Sequence, residues 1–344
     1  MPWNLYGTAQ VVITVTMISL IIFGNGMLCV IILKVRRLRN PSGYLLVNLA
    51  VGEILVGVLL LPFSIPAVLH GKWTMGTNTC QFNGFLQHAL SAVSVLTVLS
   101  VSIDRYFAIV TPLTYRARVT TQKTLIAVCF TWFYALFSAC FPFMKWSTYH
   151  FVSGLWLCEN NYRYSLSFTY FKFLVLYVIP FLVIVYIYAC IFKISWHHSR
   201  QIRNEIEAFH KREEYIQKEN TSTVSSQPIA ADGEYCLRKP HSSVKAEIKT
   251  ALSLGCVVGL VFLAWGPYLF VNLWGYHTEK EVPVTMLSLT SNLYYLSSVL
   301  NPYLYGYLNR NVKREFKKMV IRTKKTLVQL GSRAIHPSGA VHPL

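Results

Sequence analysis

Five ionisable side chains fall inside stretches otherwise fit for a lipid interior: Glu53, Asp104, Arg105, Lys172 and Glu247. A charge at membrane depth is costly, and each such residue is a functional hypothesis by default, with a partner to be found. Asp104 and Arg105 are adjacent, so a charge-assisted hydrogen bond is the chemistry to expect there. Glu53 is the sole acid expected at the midplane, too few for the acid relay of a pump. Lys172 can meet an anionic group on a ligand or snorkel to the outer interface. No Cys-x-x-Cys pair suggests zinc, and Cys29, Cys129, Cys140, Cys190 and Cys256 each sit in apolar sequence as small hydrophobes.

The elements that must position these groups are long apolar helices. Of 344 residues, 53% are hydrophobic and 13% charged, which points away from a soluble enzyme. Runs near 9–34, 43–69, 78–110, 122–144, 167–194, 246–275 and 284–307 each meet the roughly 20 apolar residues that a bilayer core requires. The fold class that follows is all-α, an integral membrane seven-helix bundle. Pro62, Pro66, Pro142, Pro180, Pro267 and Pro302 lie within the runs and are expected to kink them.

The net charge of +18 would suggest nucleic acid in a soluble protein, but here it describes loops beside anionic lipid. Lys34, Arg36, Arg37 and Arg39 follow the first span and a basic tail follows the last, whereas Lys72, Lys145, Arg163 and Lys280 are the sparse cations of the other side. The positive-inside bias puts the N-terminus outside and the C-terminus in the cytoplasm. The apolar start lacks the short cleavable form of a signal peptide. That orientation leaves Cys80 and Cys158 on the oxidising side, where a disulfide between them is expected. Residues 195–245 form a third cytoplasmic loop that begins by extending span five, through Ile202, Ile206 and Phe209, and becomes a disordered Ser/Thr/Pro-rich segment. Residues 310–322 read as a short amphipathic helix on the inner leaflet, carrying Val312, Phe316, Met319 and Val320, with a tail over 323–344.

One motif per span recurs in order: Gly24-Asn25, Leu49-Ala50-Val51-Gly52-Glu53, Asp104-Arg105-Tyr106, Trp132, Pro180 with Tyr188, Trp265-Gly266-Pro267-Tyr268 and Asn301-Pro302-Tyr303-Leu304-Tyr305. Together they cover about residues 10–322, and the chain resembles a rhodopsin-like (class A) G-protein-coupled receptor, near the amine, melatonin and opsin-like branches. Cys80 and Cys158 match the family's disulfide. The resemblance implies a plasma-membrane receptor, not an enzyme, that activates a heterotrimeric G protein. Arrestin, a receptor kinase and membrane lipids are the other implied partners. It implies a switch in which span six moves away from span three and Arg105 is freed toward Tyr188 and Tyr305, with Glu247, Asn301 and Pro302 taking part.

Departures from the family pattern narrow the ligand. Gln87 stands where amine receptors keep an Asp, and Tyr295 where an opsin needs its Schiff-base Lys, so the expected ligand is neither a monoamine nor retinal. The expected pocket is Gln87, His88 and Ser91 on span three, Thr169, Lys172 and Phe173 on span five, Trp265, Tyr268 and Asn272 on span six, and Ser291 and Tyr295 on span seven. His88 reads more readily as a packing residue than as a ligand contact. Glu53 replaces the usual Asp of the family's sodium site, and either still holds sodium with Ser94, Ser297 and Asn301, Asn25 lying near, or is protonated. Ala264 before Trp265, and Val261 where Phe is common, imply a modified packing relay. The competing functions are a constitutively active receptor-like signalling protein and, from another class, a seven-span transporter.

Overall fold

The computed structural model describes residues 5–162, 164–222, 255, 259, 262–275, 277–278, 282–308, 312–318 and 321. Span 1 is Leu5–Lys34, span 2 Pro41–His70, span 3 Thr77–Val110 and span 4 Thr121–Met144. Span 5 starts at Leu166 and continues as helix to Ser222. Span 6 is seen over 262–275 and span 7 is Val284–Leu308. The helical start of the third loop is as expected, and the helix takes in Asn220, Thr221 and Ser222 at the head of the segment read as disordered. Glu247, Cys256 and Val261 lie outside the described residues.

Five of these helices are long and apolar enough to cross a membrane among the described residues. Span 7 carries Ser288, Ser291, Ser297, Ser298 and Asn301, all buried, so its polarity points into the bundle. The reverse holds outside, where Phe23, Phe130, Phe133, Leu182, Leu263, Phe270 and Leu289 are exposed. An apolar exterior around a polar seam is the pattern of a bundle solvated by lipid.

Proline shapes two spans through their carbonyls. Pro62 and Pro180 have no N–H to offer, and each follows a single wide turn, Val56–Leu60 and Leu174–Val178. There Leu61 N–H donates to Val56 O and Ile179 N–H to Leu174 O. Such wide turns rotate the following residues around the helix axis and gather at functional sites.

Span 3 is the central post, with Asn83, Gln87, His88, Ser91, Ser94, Thr97, Ser102 and Asp104 all buried along it. Asn48 ties three helices at mid-depth, donating to Thr97 Oγ1 at 2.7 Å and accepting from Trp132 Nε1 at 2.8 Å. Helical residues 312–318 return to the bundle: Val312 is buried and, with Phe316, packs among Leu28, Ile31, Ile32, Leu38 and Ala50. These two side chains therefore anchor the segment to spans 1 and 2 instead of facing lipid. The placement of Met319 and Val320 lies outside the described residues.

A hairpin covers one end of the bundle. Strand β1, Tyr149–Val152, pairs antiparallel with β2, Leu157–Asn160, in the register Tyr149↔Asn160 and Phe151↔Cys158. Cys80 and Cys158 form a disulfide with a Cα separation of 5.4 Å. Cys158 N–H donates to Asn83 Oδ1 at 2.9 Å, and Gln81 Nε2 to Tyr149 O at 2.9 Å. Gly84 makes room for the Tyr149 ring, which a Cβ there would strike. On the far side Trp156 Nε1 donates to Ser288 Oγ at 3.1 Å, and Ser288 Oγ to Gly154 O at 2.7 Å.

Candidate functional site

Polar side chains run through the bundle in three clusters. The first lies under the hairpin. Because Cys158 is bonded to the top of span 3, the next residues of β2 have nowhere to go but over the helix ends, and Glu159 and Asn160 are both buried. Glu159 Oε1 lies 2.8 Å from Lys172 Nζ and accepts from Tyr162 OH at 2.9 Å, while Tyr268 OH donates to Glu159 Oε2. Lys172 Nζ also donates to Asn160 Oδ1 at 2.7 Å. Burial pushes the Glu159 carboxyl up, but the Lys172 charge and the hydrogen bonds from Lys172, Tyr268 and Tyr162 outweigh it, and the carboxyl is held below its ordinary value. Burial and then the Glu159 charge push the Tyr162 hydroxyl well up, so it stays a donor.

Lys172 does not snorkel to the outer interface: it is 3% exposed and ion-paired with Glu159 within the chain. His88 is wholly buried and shares hydrogen bonds with Asn160 Oδ1 at 3.3 Å and Ser138 Oγ at 3.2 Å. Thr169 Oγ1 donates to Tyr162 O at 3.1 Å and caps the turn into span 5. Tyr268 is in the cluster, whereas Asn272 donates to the Tyr268 carbonyl at 2.7 Å. Phe173 and Asn272 line a narrow cleft beside Lys172, with Tyr177 and Leu269.

The second cluster lies deeper. Tyr295 OH donates to Gln87 Oε1 at 2.8 Å, Ser91 and Tyr294 share a hydrogen bond of 2.7 Å, and Trp265 Nε1 donates to Ser297 Oγ at 2.9 Å. The rings of Tyr294 and Trp265 lie 5.2 Å apart, Tyr294 and Tyr268 5.5 Å, and Tyr177 and Trp265 6.2 Å. Ser291 instead donates to its own helix at Ser288 O, 3.0 Å away. Below Trp265, Glu53 Oε1 accepts from Ser94 Oγ at 3.1 Å and from Asn301 Nδ2 at 3.3 Å. Asn25 Nδ2 donates to Ser298 O at 3.2 Å, and a small cavity is bounded by Glu53, Ser94, Trp265, Ser297 and Ser298.

The third cluster closes the opposite end of span 3. Asp104 is buried and accepts from Arg105 Nη2 at 2.6 Å, Arg105 Nε at 3.0 Å, Ser42 Oγ at 2.6 Å and Tyr115 OH at 2.7 Å. Arg105 Nη2 also meets Ser42 Oγ. Tyr106 and Tyr188 pack against Ile109, Ile187 and Ile191 beside this group. Pro302 is buried in span 7, and the Tyr305 side chain lies outside the described residues.

Sequence reasoning missed Glu159, Asn160 and Tyr162, and at the other end Ser42 and Tyr115. The first three had a signal: a charge directly after a Cys bonded to span 3 cannot be far from the pocket. Ser42 and Tyr115 come from loop-proximal helix starts and carried none.

A bundle of this shape with these clusters defines a seven-span membrane receptor. The profile of the 7 transmembrane receptor (rhodopsin family) matches residues 24–305, and the chain belongs to that family. Among curated proteins it is 26% identical to mouse G-protein coupled receptor 161, over 90% of this chain and 56% of that one. It is also 26% identical to the guinea pig 5-hydroxytryptamine receptor 4, over 90% and 80% of the two chains. The chain thus spans little more than half the length of mouse G-protein coupled receptor 161. The crystal structure of squid rhodopsin has the same fold, with a TM-score of 0.76 at 21% identity, covering 92% of this chain and 86% of that one. The relatives are receptors, not enzymes, and the chain is a multi-pass membrane protein.

Proposed function

We propose that the chain converts extracellular ligand binding into activation of a heterotrimeric G protein at the plasma membrane, with its N-terminus outside. The observation that carries this reading is the Asp104–Arg105 cluster. A permanent cation is drawn onto a buried carboxylate and a hydroxyl at the end of the central helix, an arrangement that a partner entering there can pull apart. Agonist binding favours a state in which span 6 moves outward and Arg105 turns toward Tyr188 and Tyr305, with Glu247, Asn301 and Pro302 in the moving part. Trp265, hydrogen-bonded to span 7 and stacked on Tyr294, is the floor on which a ligand acts. Arrestin and a receptor kinase would meet the same face.

The residues around Glu53 fit a sodium ion. All are oxygen donors, and the carbonyl oxygens of Asn25 and Asn301 are buried without a hydrogen-bond partner. Glu53, Ser94, Ser297 and Asn301 would hold it, and it would supply the positive charge that the carboxylate lacks there.

Gln87 and its bond to Tyr295 offer no anion to an amine, which separates this pocket from one that would bind the amine in the name of the 5-hydroxytryptamine receptor. A second reading, signalling with no added ligand, is favoured by the filling of the outer pocket with the chain's own side chains. The test is second-messenger output of the wild type and of Arg105→Ala at equal surface expression. Loss of coupling in Arg105→Ala supports the receptor reading, and unchanged output to every G protein overturns it. A glycan found on Asn220 of cell-expressed protein would overturn the orientation.

A further inference from the structure

The outer cluster has the form of a filled binding site. Its donors converge on one carboxylate from three directions: Lys172 from span 5, Tyr268 from span 6 and Tyr162 from the segment between hairpin and span 5. The carboxylate arrives from a strand that belongs to none of these. A group that only stabilised the loop would not need three donor contacts from the helices and their edges, and a solvated rim pair would be worth little.

The charges settle what the site prefers. Lys172 and Glu159 are each 3% exposed and neutralise one another, so with Glu159 withdrawn the cradle holds one cation and two hydroxyl donors. That set suits a carboxylate, with a cation on one oxygen and a phenol on each. It repels an ammonium. The cradle also opens on the cleft lined by Phe173, Tyr177 and Leu269, whose surface accepts an apolar body attached to such a head group.

We propose that Lys172, Tyr162 and Tyr268 form a carboxylate-binding site that the chain fills with its own Glu159, and that the extracellular ligand is an anionic molecule whose carboxylate exchanges with that side chain. The ligand class deepens the receptor reading and rests on it for any effect on signalling. The binding of a carboxylate does not, because it is read on the purified protein. Exchange requires the hairpin to shift while the Cys80–Cys158 bond keeps it tethered, so Glu159 remains close by and competes with the incoming group as an intramolecular ligand.

Chemical rescue tests the site. Glu159→Ala keeps Cβ and removes the CH2–carboxylate beyond it, leaving a space the size of acetate, with propionate one methylene larger. Purified full-length Glu159→Ala is expected to unfold several degrees below the wild type. Acetate or propionate should restore much of the loss along a saturable curve, while sodium chloride at the same ionic strength does not. The wild type, already filled, should respond only weakly, and Glu159→Ala/Lys172→Met not at all. If Glu159→Ala does not reach the membrane, expression with propionate in the medium is the second measurement. Recovery of the single variant and not of the double variant supports the site. The proposal is overturned if chloride equals the carboxylates, if both variants respond alike, or if Glu159→Ala stays unchanged by either acid. Rescue of stability with no effect of the carboxylates on signalling would leave the site standing and overturn the assignment of the ligand class, whereas the receptor reading falls only if Arg105→Ala leaves coupling unchanged.

Discussion

The bundle holds a buried ion pair near each end, and the two are assembled in opposite ways. Asp104 and Arg105 are neighbours on one helix, and their pairing is completed by Ser42 and Tyr115. The ion pair itself is local, and only its Ser42 contact has to be brought in from another span. Glu159 and Lys172 come from a hairpin strand and a helix, and their meeting depends on the disulfide that carries β2 over span 3. Arg105 retains 12% side-chain exposure, whereas both outer partners retain 3%. The inner pair can be opened by one side chain turning toward solvent or a partner. The outer pair opens only by moving a loop, and so belongs with stability and ligand entry.

The largest expected difference between the two ends comes from removing one outer partner. Lys172→Met leaves Glu159 buried without its cation, which costs on the order of 3–5 kcal/mol. Glu159→Gln/Lys172→Met removes both charges and should recover most of that loss. Thermal unfolding of the purified receptor measures it, and a single variant as stable as the wild type would show that water reaches the pair.

Next in size is the tether. Cys80→Ser or Cys158→Ser should cost about 2–5 kcal/mol, with reduced surface expression. Cys129 and Cys140, exposed and unpaired, should tolerate replacement. Free thiols at both positions 80 and 158 in active, unreduced receptor would break the contrast, because the outer pair would then form without its tether.

The inner end should answer in signalling more than in folding. Tyr115→Phe deletes one charge-assisted bond to Asp104, and Asp104→Asn weakens the whole cluster. A shift of about 1–2 kcal/mol toward the open state raises basal output roughly 5- to 30-fold. Arg105→Ala should do the reverse. Glu247→Ala belongs to the same series, and if it raises basal output as Asp104→Asn does, Arg105 has two carboxylate restraints. Equal signalling by all four variants at equal surface expression would remove the functional distinction between the ends.

The inner cluster was legible because its chemistry is written in consecutive residues. Asp104-Arg105-Tyr106 announces a charge pair wherever the helix goes, and the apolar runs locate spans 1 to 4 and 7, whereas the helix of span 5 continues past its apolar run to Ser222. The outer cluster was not, because Glu159 looks like an ordinary loop acid until the loop is seen to lie over the bundle. Lys172 stands out in the sequence as a cation within a span, but nothing there marks Glu159, 13 residues before it in the chain, as the carboxylate that pairs with it. The wide turns before Pro62 and Pro180 were read only as kinks, since their register depends on which carbonyls neighbouring helices leave free. Span 7 was found by length despite its serines, whose inward direction only packing decides.

The smallest expected effect is one of pH, and it separates the ends by a sign that can be worked out for Glu159. Its carboxyl is held below the ordinary carboxylate range, since the Lys172 charge and three hydrogen bonds outweigh the effect of burial. A carboxyl lowered on folding binds fewer protons in the folded chain than in the unfolded one. Its contribution is therefore complete above the unfolded value and fades as pH falls through the folded one. In that acid range protonation leaves Lys172 buried beside a neutral acid. The wild type should lose stability below about pH 4.5 faster than Glu159→Gln/Lys172→Met, which has no charge left to lose at this site, while the two should run parallel toward neutrality. Thermal unfolding of both proteins from about pH 6 to about pH 3 makes the comparison. Tyr115→Phe, altered only at the inner end, should follow the wild-type curve. If the wild type and the charge-free pair decline together, Glu159 titrates alike folded and unfolded, and the outer carboxylate is solvated and not locked to Lys172.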